Sequence, residues 1–81
     1  MKKRFSELYR PIRNKFELEA KTILIRHITN TDKRCLINDL ADHYCREFDY
    51  LCMRADIPER MTEQGRKWLH LLACKLHPKS A

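Results

Sequence analysis

Apolar side chains recur along this chain at the three- and four-residue spacing of a helix, not in the alternation of a strand. In the first segment Phe5, Tyr9, Ile12, Phe16, Ala20, Ile23 and His27 share one stripe, with Leu24 beside it. Pro11 interrupts this run. A proline lacks the backbone donor that the helix needs, and it biases Arg10 before it away from helical angles. The pattern therefore predicts a short N-terminal turn, a break near Arg10, and a helix from about Pro11 to Ile28. Pro11 suits the first position of that helix, where its missing N–H costs nothing.

Thr29-Asn30-Thr31-Asp32 is rich in capping residues, and Thr29 with Asp32 three positions on resembles a capping box with Asp in place of Glu. A second helix is predicted from about Thr31 to Ala55, with a core stripe of Ile37, Leu40, Ala41, Tyr44, Phe48, Leu51, Cys52 and Ala55. Asp56-Ile57-Pro58-Glu59 reads as another start, with Asp56 as the cap. A third helix then spans about Ile57 to His77, and Pro78 stops it. Its stripe is Met61, Gly65, Trp68, Leu69, Leu72, Ala73 and Leu76. Gly65 on that stripe implies a close helix approach, at a propensity cost of about 1 kcal/mol.

Short connections make neighbouring helices antiparallel, so the fold expected is an all-α three-helix bundle, or half of a larger bundle formed by two copies. The 81 residues suffice for one domain with one small core, residues 1–10 forming a basic arm. One Gly and three Pro leave few breakers, which favours long helices. A helix-turn-helix DNA reader fits poorly, because its paired helices are short and their turn often holds Gly. Here the candidate pairs are long hairpins whose turns hold none.

Several large apolar residues fall off the core stripes: Leu18 and Ile25 on the back of the first helix, Tyr50 and Met53 with Leu36 on the second, and Leu71 on the third. Isolated exposed apolar residues are ordinary. Their recurrence on all three helices points instead to a second buried face, supplied by a homodimer or a partner protein. Leu18, Ile25, Tyr50 and Leu71 are the anchors such an interface would use.

Charge adds a direction. Lys and Arg number 17 against 11 Asp and Glu, for a net charge of +6, and residues 1–28 carry eight of the cations against three Glu. Lys2, Lys3, Arg4, Arg10, Arg13 and Lys15 crowd the first fifteen positions, opposed only by Glu7. Guanidinium forks and ammonium groups attract phosphate and carboxylate. The expected partner is therefore nucleic acid, bound through its phosphates, or else an acidic protein surface. The stripe Asp39, Asp42 and Asp49 could meet this basic helix in a second copy, while a solvated charged face is the bland reading. A membrane surface fits poorly, because Glu7, Glu17 and Glu19 share the helix and its aromatics belong to the core stripe.

The remaining chemistry is sparse. The longest aliphatic run, Ile23-Leu24-Ile25, is too short for a membrane span or a signal sequence, which leads to the expectation of a cytoplasmic protein with reduced cysteines. There is no CxxC, HExxH or GxSxG, and one glycine cannot build a phosphate loop. No cofactor is expected. His70, Cys74 and His77 lie on one face of the third helix, a weak candidate zinc set lacking the fourth ligand that structural sites use. Cys45 and Cys52 read as small hydrophobes at the core, Cys35 as a weak candidate nucleophile without a base, and His27 as a structural core histidine. No acid–base pair can be assembled, so the chain is expected to be a non-enzymatic binding protein.

Overall fold

The computed structural model describes residues 4–78, and in it three helices pack on one another: α1 (Phe5–Leu24), α2 (Asn30–Arg54) and α3 (Glu59–Leu76). The all-α three-helix bundle expected from the stripes is the fold found. Lys2 and Lys3 lie outside the described residues.

α2 begins and ends within a residue of its expected bounds. Thr29 is its N-cap, with extended backbone and a side-chain hydroxyl that accepts from the Asp32 N–H at 3.1 Å. At its far end the Ile57 N–H donates to the Cys52 carbonyl at 2.9 Å and the Asp56 N–H to the Met53 carbonyl at 3.3 Å. Those two bonds make a Schellman termination, and Asp56 occupies the left-handed position at φ 56°. Asp56 thus ends α2 rather than capping α3. α3 starts at Glu59 instead of Ile57, with Pro58 as its N-cap; the Met61 and Thr62 N–H groups donate to the Pro58 carbonyl, as does the Thr62 hydroxyl at 3.3 Å.

The first helix departs most from expectation. It starts at Phe5 and runs straight through Pro11, and no break occurs at Arg10. The N–H missing at Pro11 would have bonded the Glu7 carbonyl, and both residues are exposed, so water can take that bond. Tertiary packing offsets the rest. Phe5 and Tyr9 stack on each other with centroids 5.7 Å apart and meet Phe48 edge-on at 5.6 and 5.8 Å. The helix then stops at Leu24, four residues early, because the chain must turn into an N-cap at Thr29 whose extended backbone no helix interior can supply. His27 is therefore an exposed turn residue, not a core histidine.

The core runs along Leu8, Ile12, Phe16, Ala20 and Ile23 of α1, along Ile37, Ala41, Tyr44, Cys45, Phe48 and Cys52 of α2, and along Leu69 and Ala73 of α3. Leu8 joins it unpredicted, with Phe5 and Tyr9 on its flank. On α3 the buried line is Thr62, Gly65, Leu69 and Ala73, so Met61 and Trp68 sit at the rim rather than inside. Gly65 does permit close approach: a Cβ there would collide with the Phe48 ring and lie 3.2 Å from Phe5 Cζ. Polar ties also cross the helices. Arg66 of α3 pairs with Asp49 of α2 at 2.6 Å and with Glu59 at 3.1 Å, and the Tyr44 hydroxyl donates to Glu19 at 2.8 Å.

Candidate nucleic-acid interface

α2 packs along both other helices, whereas α1 and α3 meet over a shorter stretch, and a groove runs between them. Its floor is aromatic. Phe48 is fully buried, Phe5 and Tyr9 lie half-buried above it, and Trp68 stands at the edge with 42% of its surface exposed. Trp68 meets Phe5 at 5.7 Å and Tyr9 at 5.4 Å, each nearly perpendicular. Gly65, one turn before Trp68, brings α3 near enough to α2 for this cluster to close.

Cations border that floor. One concavity of about 320 Å³ is lined by Phe5, Ser6, Tyr9, Arg10, Arg13 and Trp68. An adjoining one of about 200 Å³ is lined by Tyr9, Arg13, Trp68, Leu71, Leu72 and Lys75. No carboxylate lines either, among the described residues. Arg13 is held from the next turn by Glu17 at 3.6 Å, while Arg10 and Lys75 make no ion pair among the described residues. Burial raises the pKa of the Tyr9 phenol, with Arg13 acting against that rise, so the groove holds a neutral hydroxyl at physiological pH.

The structure thus divides the basic cluster. Arg10 and Arg13, three apart, share the groove. Lys15 is two residues beyond Arg13 and turns to the other flank of the helix. Arg4 is exposed at the helix start. Lys75 was missed by the sequence reading; its signal was the i, i+4 spacing of Lys67, Leu71 and Lys75 beside the lone tryptophan. The apolar anchors divide too. Leu71, 59% exposed, lies in the groove and also borders a shallow hollow with Lys67, His70 and Cys74. Leu18 and Ile25 are exposed on the back of α1, and Tyr50 sits on α2 beneath the Arg54 guanidinium, 5.7 Å from its ring centre. Of the four, Leu71 is the one that lines the groove.

The candidate metal set does not assemble. His70 Nε2 lies 3.6 Å from Cys45 Sγ, His77 Nε2 lies 2.7 Å from Asn38 Oδ1, and Cys74 is exposed between them. No three His, Cys, Asp or Glu side chains converge on a metal position among the described residues. Cys45 beside His70 has the make-up of a nucleophile and base, yet burial and the nearby Asp49 and Asp42 push its thiol up to about 11. A thiol held protonated is a poor nucleophile. Cys35 is exposed at the start of α2, without a base within bonding distance among the described residues. No helix of the described residues is long and apolar enough to cross a membrane.

No protein-family model, no curated protein and no solved structure matches this chain.

Proposed function

We propose that this chain is a small, non-enzymatic, cytosolic regulatory module that contacts nucleic-acid phosphates through the basic face of its first helix. The observation that carries this reading is the groove in which Arg10, Arg13 and Lys75 border Tyr9 and Trp68 without a lining carboxylate. Phosphate contacts position a nucleic acid without reading its sequence, and nothing in the groove resembles a helix shaped to enter the major groove. Arg4 and Lys15 add to the positive potential of α1, and Lys2 and Lys3, outside the described residues, add to the net charge of the chain. Replacing Arg10 and Arg13 by Glu should abolish retention of nucleic acid at low salt, measured by filter binding. For the unaltered protein the logarithm of the affinity should fall linearly with log salt, each phosphate contact adding roughly 0.7 to 0.9 to the slope. Unchanged retention by the double variant would sink the reading.

A second reading is favoured by Leu71, whose exposed side chain adjoins the same cations. An acidic, amphipathic protein surface could place a hydrophobe on Leu71 and carboxylates on Arg13 and Lys75. The module would then be an adaptor or inhibitor, for instance of a nucleic-acid-processing machine. Capture of one protein that survives nuclease would support it.

A further inference from the structure

We infer that the groove is built for single-stranded nucleic acid, with a base stacked on Trp68 while Arg10, Arg13 and Lys75 hold the flanking phosphates. This rests on the phosphate-binding reading above and names its substrate class. Three observations carry it. Trp68 is the chain's one tryptophan and stands at the groove's edge, although its stripe position predicts a core residue. Its two ring neighbours, Phe5 and Tyr9, both come from α1 and both meet it nearly perpendicularly, so no aromatic side chain stacks on the indole among the described residues. No guanidinium is seated on the indole either: among the described residues the guanidinium held over an aromatic ring is that of Arg54 on Tyr50, and 42% of the Trp68 surface is exposed.

An aromatic face beside a row of cations suits a strand whose bases are unpaired. Stacking on an aromatic side chain is tolerant of base identity, because every base has a π-face. A duplex keeps its bases stacked on each other and offers the groove only phosphates, so it leaves Trp68 uncovered. The perpendicular contacts with Phe5 and Tyr9 fix the ring in place, so little side-chain freedom is lost when a base lands on it.

Trp68 is its own reporter. The full chain is titrated at low salt with a single-stranded oligothymidylate, a duplex of equal length, inorganic polyphosphate and polyglutamate, following indole fluorescence and anisotropy. The expected result is quenching by the single strand alone, with affinity about tenfold above that of the duplex. A Trp68→Leu variant, checked for native helicity, should lose that preference and keep its polyphosphate binding. Equal binding of duplex and single strand without quenching, abolished by R10E/R13E, would overturn base stacking and leave phosphate contact standing. Tighter single-strand binding without quenching would overturn stacking as well. Polyglutamate binding as tight as the oligonucleotide would overturn it in favour of an acidic protein partner. No binding of any polyanion would overturn both readings together.

Discussion

At Gly65 the helix gives up intrinsic stability for contact. Alanine there would gain about 1 kcal/mol of helix propensity. The added methyl would collide with Phe48, which is fully buried and cannot swing aside. Overpacking of this kind costs about 1–3 kcal/mol. Gly65→Ala should therefore destabilise the protein, seen as a lower denaturation midpoint in urea. Two other residues set a pH limit. Burial and its hydrogen bond to Glu19 push the Tyr44 phenol up to about 12, and burial pushes the Cys45 thiol up to about 11. Both folded values exceed the ordinary 10.0 and 9.0, so the fold favours the protonated forms. Their contribution is complete below pH 9 and is lost as pH rises towards 12. Urea midpoints should fall across that window, and Tyr44→Phe should remove the tyrosine part of the decline.

Between elements, what the chain order reveals depends on whether a local signal or a distant contact decides. α2 was legible almost to the residue because Thr29 writes its start into the sequence and the apolar stripe persists to Ala55. α1 was not. The rule that proline breaks helices is local, and here packing of Phe5 and Tyr9 on Phe48 and Trp68 overrides it. That packing becomes visible only once three helices are side by side. Within the expected basic arm of residues 1–10, Phe5 and Tyr9 pack where their stripe put them, and Leu8 joins the core beside them. Phe5→Ala should cost about 2–3 kcal/mol and shift Trp68 emission to the red as α1 lifts from α3. An unchanged spectrum and midpoint would mean that the first turn contributes nothing to docking. The tryptophan itself was misplaced for a related reason. The expected stripe held Gly65, Leu69 and Ala73, which are buried, but also Met61 and Trp68 on its edge, which a small rotation leaves at the rim while Thr62 goes inside.

The whole molecule is a short rod of 46 × 19 × 15 Å. Its positive surplus was legible from composition, but the groove was not. Arg10 and Arg13 part from Lys15 only through helical phase, and Lys75 reaches them only because α3 returns alongside α1 some sixty positions later. The rod also has one joint made entirely of exposed residues, the turn Ile25–Thr29 between α1 and α2. Exposed turns of this kind accept inserted sequence far better than the elements they join. Leu24, where α1 ends, is eleven residues beyond Arg13, about 16 Å along the helix at 1.5 Å per residue. A fluorescent or affinity peptide spliced between Arg26 and His27 would ride on the rod well away from the groove, leaving the chain able to carry a label and its ligand at once.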